Sequence, residues 1–231
     1  MVPGKRTPIS RRERPAKPAL TRPGIVEAAL RVVRAEGLER VTMRRLAQEL
    51  DTGPASLYVY VRNTAELHAL ILDELLSDVD LAPVTATGDW RERLVGVLWS
   101  YTVILIGHSG LAQSALVTRP SGPGYLHLVE GVLALLDEGG VAPGRAAWAV
   151  DLLLHFATST ATEQGVRSRA IDAEDEEDRA EAALASLSPE TFPHIAALSA
   201  HLFSGEGPER LTWGFQVLIN GVLETPRPAV S

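Results

Sequence analysis

Beyond residue 22 apolar residues recur at three- and four-residue spacing, the period of helices that bury one face. Ile25, Ala28, Ala29, Val32 and Val33 mark a first helix, with Pro23 suited to its first turn and Gly37 to its stop. Thr42 then offers a side-chain oxygen to the free amides of MRRLAQEL, whose Leu46, Ala47 and Leu50 share a face. Asp51-Thr52-Gly53 interrupts that helix, and Pro54 fits the first position of a third, PASLYVYV. Asn63 with Glu66 three residues on matches a capping box and predicts a fourth helix through about Ser77. Three short helices, the second and third joined by a tight glycine-containing turn, are the parts of a helix-turn-helix.

After the break at DLAPVTATGD the pattern predicts helices over 90–106, 124–139, 144–166 and 208–224, separated by TRPSGPG, EGGVAPG and FSGEGPE. The fold class is therefore all-α: an N-terminal three-helix helix-turn-helix domain and a larger C-terminal helical domain. The boundaries follow as an arm over 1–21, a head over 22–77 and a second domain over 78–231. In the last helix Leu211, Phe215, Leu218 and Val222 form one apolar face, and Trp213, Val217 and Gly221 an adjoining one. So wide a surface suits either a helix surrounded by its own domain or one packed against an identical helix in a four-helix dimer core. The acidic run DAEDEEDRAE, 172–181, reads as a surface insertion.

Charge changes the picture at one end. Residues 1–22 hold seven basic side chains against Glu13 alone, a balance of +6 in a chain whose total is -7, so the other 209 residues sum to -13. A basic, proline-rich arm with few hydrophobes cannot order itself by burial; it either follows nucleic-acid phosphates or the minor groove, or is a solvated tail. The absence of cysteine excludes a disulfide scaffold and a cysteine-ligated metal site. No apolar run reaches the ~18 residues of a membrane helix, and the N-terminus lacks the apolar stretch of a secretory signal, so a cytoplasmic protein without membrane contact is expected. Six histidines are scattered without ligand spacing, and neither a metal nor a cofactor is implied.

In PASLYVYV, Leu57 and Val61 can pack inward beside Leu46 and Leu50, which leaves Ser56 and Tyr60 on the next face with Tyr58 and Val59 to either side. A recognition helix needs short donors and apolar groups near its N-terminus to meet base edges, and longer side chains for phosphates. Pro54, Ala55 and Ser56 fit the first need. Tyr58, Tyr60 and Thr64 fit the second, with Thr42 at the mouth of the preceding helix and Arg44 as the strongest charge-assisted donor. The alternative is that the tyrosines fill the junction between helices.

These residues carry a resemblance. The Gly37-to-Thr42 approach, RRLAQEL, SLYVYV and RNTAEL together resemble the DNA-binding domain of the TetR (tetracycline-repressor) family of bacterial transcription regulators. Trp90, VTRP at Val117 to Pro120 followed by Tyr125, His155-Phe156 with Glu163 beyond, and GFQVLINGVL resemble the ligand-binding domain of the tetracycline repressor's own subgroup. The resemblance implies a homodimer that binds a palindromic operator in double-stranded DNA and responds to a small-molecule effector. It implies an interface formed by the helix around 144–166 and the last helix, with Trp148, Leu152, Trp213, Val217 and Gly221. Operator half-sites would lie one turn, ~34–36 Å, apart, and an effector that fits only the splayed dimer would lower operator affinity.

The departures concern the ligand. The tetracycline repressor's metal-binding histidine, three residues before the Thr of TRP, is replaced by Ala115, while Thr118 is retained; other drug-contacting polar positions are Asp80, Val97 and Gly131. Tetracycline is therefore not expected to be the inducer. The pocket is expected to be apolar and aromatic, lined by Val97, Trp99, Tyr101, Leu105, Leu116, Arg119, Leu128, Leu152 and Phe156, with His127 and His155 as polar anchors. Two other readings compete. A helical interaction module explains the helices without DNA. A serine hydrolase would place Ser109 of SYTVILIGHSG on a nucleophile elbow, but the glycine required two residues after the serine is Leu111, and alternating strands are missing. Ser109 is expected in a loop between helices, and the chain is not expected to be an enzyme.

Overall fold

The computed structural model describes residues 19–117, 121–168, 179–184 and 186–228, and among these there is no strand. Residues 1–18 of the arm, the Thr118-Arg119-Pro120 segment and most of the acidic run lie outside the described residues. The head begins with α1 (Arg22–Glu36), followed by a 3-10 turn at Leu38–Arg40, α2 (Met43–Glu49), α3 (Pro54–Leu57) and α4 (Thr64–Leu76). Side-chain caps start three of these helices. Thr21 Oγ1 accepts the Gly24 amide at 3.2 Å, Thr42 Oγ1 the Arg45 amide at 3.1 Å, and Asn63 Oδ1 the Glu66 amide at 2.8 Å. Gly37, at φ 88, ends α1 where only a glycine is unstrained.

Two expectations for the head need correction. First, α3 is four residues rather than eight. The amides of Tyr60 and Val61 both donate to the Leu57 carbonyl, and residues 58–60 form a turn. Asn63 must be extended to cap α4 (φ -161), so the chain has only residues 58–62 in which to leave helical geometry, and two β-branched valines favour leaving it. Second, the half of the capping box contributed by Glu66 reaches past Asn63 to the Arg62 amide, at 2.7 Å. In the α2–α3 turn the left-handed position is Asp51, at φ 47, while Gly53 is extended, at φ -83.

The C-terminal domain comprises α5 (Ala82–Thr85), α6 (Trp90–Gly107), α7 (Ser109–Val117), α8 (Pro123–Glu138), α9 (Pro143–Arg167), α10 (Pro193–Leu202) and α11 (Gly207–Glu224). The four long helices stand where the pattern put them, to within one residue at each end. The short helices α5, α7 and α10 are additions. SYTVILIG belongs to α6, and Ser109 opens α7 instead of lying in a loop. At His108 the chain bends, and its carbonyl at once accepts the amides of Leu111 and Ala112, both buried.

One hydrophobic cluster runs from Ile25 in the head to Ile219 in α11. Helix α6 is central to the second domain, packed against α8, α9 and α11. Its buried Arg93 donates to the carbonyls of Pro83 and Val84, both at 3.3 Å, and is bonded to the Glu138 carboxylate. That one side chain ties α5, α6 and the end of α8 together. Helix α4 packs on α1 on one side and on α7 and α8 on the other, so it belongs to both domains.

Candidate nucleic-acid interface and effector domain

The burial pattern of residues 54–64 gives the head its outer surface. Leu57 and Val61 are fully buried, whereas Pro54, Ala55, Ser56, Tyr58, Val59, Tyr60, Arg62 and Thr64 are exposed. Tyr58 is 52% and Tyr60 38% exposed, so both present part of their surface to solvent. Thr42 is exposed as well; its oxygen caps α2, and its proton remains able to donate.

The two arginines of α2 have opposite roles. Arg45 donates to Glu36 at 2.5 Å and to Glu49 at 3.0 Å, fixing α1 against α2. That bond with Arg45 holds the Glu36 carboxyl below its usual range. Arg44, one residue earlier, is exposed and has no ion-pair partner among the described residues. The surface therefore combines hydroxyls, small apolar groups and a guanidinium without a partner among the described residues, which is what contact with base edges and phosphates requires.

The described candidate ligand residues differ in where their side chains lie. Val97 and Tyr101 are buried in the core beneath α6, and the Tyr101 hydroxyl lies 2.8 Å from Thr158 Oγ1 on α9. Because Thr158 donates its own proton to the Leu154 carbonyl, the tyrosine must be the donor. Trp99 lies on another face of α6 and, with Pro208, Glu209, Thr212, Trp213 and Gln216, lines an open depression of about 540 Å³. Phe156 meets Phe215 edge-on with ring centroids 5.3 Å apart, at a point where a Cβ on Gly214 would collide with the Phe156 ring. His127 and His155 are exposed on α8 and α9, and the His155 ring lies 3.5 Å from Ser159 Oγ. The side chain of Leu116 and the whole of Arg119 lie outside the described residues.

The candidate interface residues lie on α9 and α11. Trp148 and Leu152 lie one turn apart on α9, and Trp213, Val217 and Gly221 follow at four-residue steps on α11; all five are exposed. The two helices pack on each other, and Arg145 of α9 donates to the Leu223 carbonyl of α11 at 2.5 Å. The Arg227 guanidinium covers the Trp148 ring at 4.6 Å.

Comparison with known proteins agrees with both halves. Residues 25–70 match the model of the bacterial regulatory proteins of the tetR family, and residues 82–225 match that of the tetracyclin repressor-like C-terminal domain. The chain belongs to the TetR family. It is 30% identical over 221 residues to the HTH-type transcriptional repressor DrrR1 of Streptomyces coeruleorubidus, covering 90% of this chain and 82% of that protein. It is 28% identical over 211 residues to the class D tetracycline repressor of Escherichia coli, covering 89% and 93%. Among solved structures, ActR of Streptomyces coelicolor in complex with actinorhodin is 35% identical, with a TM-score of 0.80 over 89% of this chain and 96% of that one. The TetR fold thus accounts for the helical architecture and the helix-turn-helix head, and no helix among the described residues is long and apolar enough to cross a membrane.

Within this TetR-family chain several working residues carry no signal in the sequence. Asp73 of α4 accepts the Tyr125 amide at the start of α8, at 3.0 Å. The backbones approach so closely there that a Cβ on Gly124 would overlap the Asp73 carbonyl, and the glycine in PSGPGY is the one local hint. Arg93 and Thr158 are likewise found only through their tertiary partners.

Proposed function

We propose that the protein is a ligand-responsive repressor that binds a palindromic operator as a homodimer and is released by a small, largely apolar molecule. The observation that carries this reading is the contiguous exposed surface of residues 54–64 beside Arg44, which has no partner within the described chain and offers groups suited to DNA. The dimer is supported by the exposed apolar stripes of α9 and α11, which a second copy would bury. Such a dimer would set two heads for successive major grooves, ~34–36 Å apart. Helix α4, held between the domains, is the element through which an effector would change that spacing.

The effector is not expected to be tetracycline. Ala115 offers no metal ligand, Val97 is buried in the core, and the Asp80 carboxylate is occupied in accepting the Ala82 amide at 2.9 Å. Unpaired polar groups on the drug would cost about 1–3 kcal/mol each. Nanomolar binding of magnesium-tetracycline in a titration would overturn this.

The central test is selection of duplexes from a random pool by the full-length protein, with light scattering on the same sample. A palindrome bound by a dimer is expected. A dimer with no sequence preference at any salt concentration would favour a helical interaction module instead. Trp213→Glu is expected to raise the dimer dissociation constant by about 100-fold, or ~2.7 kcal/mol.

A further inference from the structure

Three elements of the head meet at the Glu66 carboxylate. Oε2 accepts the backbone amide of Arg62 at 2.7 Å and its Nε at 3.2 Å, and Oε1 accepts Nη2 of Arg22 at 2.6 Å. The carboxylate side chain is 18% exposed, while the guanidinium-bearing side chains of Arg22 and Arg62 are 50% and 86% exposed. The acceptor is thus sheltered and both cations face solvent. The Arg62 amide bond, followed by the side-chain bond and the two positive charges, holds the carboxyl below its usual range. Arg22 is the first residue of α1, and Arg62 directly follows the buried Val61 that closes the exposed turn of Tyr58, Val59 and Tyr60. One acceptor therefore anchors the end of that turn and gathers two cations from positions 40 residues apart.

A carboxylate beside DNA repels phosphate, and a helix cap alone would be served by Asn63. We propose that Glu66 is a positioning residue for DNA recognition: it fixes the end of the reading turn and presents Arg22 and Arg62 together as phosphate donors beside it. The inference rests on the DNA-reading function proposed above. Neutralising Glu66 should free both guanidiniums and strengthen sequence-independent binding, while letting the reading turn move and weakening sequence preference. A group that served only to hold the fold would weaken both kinds of binding together.

The experiment uses the full-length protein, a duplex selected by the wild type, a scrambled duplex of equal length and a range of salt concentrations. Arg22→Ala and Arg62→Ala are each expected to reduce the slope of log affinity against log salt by about 0.9 without changing the preferred sequence, and Arg62→Lys to restore the slope. Glu66→Gln is expected to tighten binding to the scrambled duplex about threefold and to lower the selected-to-scrambled ratio about tenfold. If Glu66→Gln fails to fold, the slopes of the two arginine variants and the lysine rescue decide. Unchanged slopes in both alanine variants, or equal loss on both duplexes in Glu66→Gln, would overturn the inference while leaving wild-type DNA reading intact. A wild type that selects no duplex overturns the DNA reading and this inference with it.

Discussion

Tyr58 in the head projects into solvent, whereas Tyr101 in the C-terminal domain is buried, its hydroxyl committed to Thr158. The same side chain shows how differently the two domains are organised. The head has a small core under α1, α2 and α4, and its candidate contact groups all fall within residues 42–64, because a rigid polymer can be met only by what stands outside. The C-terminal domain buries Tyr101, Thr158 and Arg93 between helices, where each has an internal partner, and exposes the apolar side chains of Trp148, Leu152, Trp213 and Val217 on α9 and α11. On the proposed function, contact with DNA would be local in sequence, while contact with an effector would be assembled from several helices.

The largest way to break this contrast is to empty the interhelical core. Phe215 is fully buried against Phe156, and Phe215→Ala is expected to lower unfolding stability by about 3–5 kcal/mol in urea denaturation. A loss below about 1 kcal/mol would mean that α11 is not integral to the fold of the monomer.

Tyr101→Phe comes next. It removes one buried hydrogen bond and is expected to cost about 1–2 kcal/mol at neutral pH. Burial pushes the Tyr101 hydroxyl up to about 12 from an ordinary 10. Folding thus favours the protonated phenol, so the stability linked to it is complete below pH 10 and is lost as pH rises towards 12. Stability measured across that window should fall more steeply in the wild type than in Tyr101→Phe, and parallel curves would show that the group titrates alike in the folded and unfolded chain.

The head gives a smaller effect with a different signature. Tyr58→Phe and Tyr60→Phe should leave stability unchanged, since both residues are exposed, and each should weaken DNA binding by about 1 kcal/mol if its hydroxyl contacts the duplex. Unchanged affinity in both variants would transfer the reading role to Ser56, Thr64 and Arg44.

What the sequence disclosed follows the same division. The caps at Thr42 and Asn63 were legible because donor and acceptor lie three residues apart, and the long helices because their apolar period repeats over several turns. Gly107-His108-Ser109-Gly110 reads as a loop, yet the helix resumes within one residue because the His108 carbonyl supplies the first acceptors of α7. His127 and His155 stand out as polar residues in apolar helices. Helix phase nevertheless turns them outward, His155 directly following the buried pair Leu153 and Leu154. Neither phase against a neighbour nor a partner on a distant helix can be read from residue type.

The smallest expected effect concerns the contact that joins the two domains. Asp73 sits on the head's last helix, accepts the Tyr125 amide and places a negative charge at the N-terminus of α8, where the helix dipole is positive. Asp73→Asn keeps an acceptor oxygen for that amide and removes only the charge, so a loss of about 0.5 kcal/mol is expected, and it should shrink at high salt. Asp73→Ala removes the acceptor as well and should cost about 1 kcal/mol more. Hydrogen exchange at the Tyr125 amide separates the two contributions: protection should persist in the asparagine variant and be lost in the alanine variant. Exchange in both variants like that of the wild type would show that α7 and the backbone packing at Gly124 hold α4 without the carboxylate, and the lever between the domains would then be a matter of shape and not of charge.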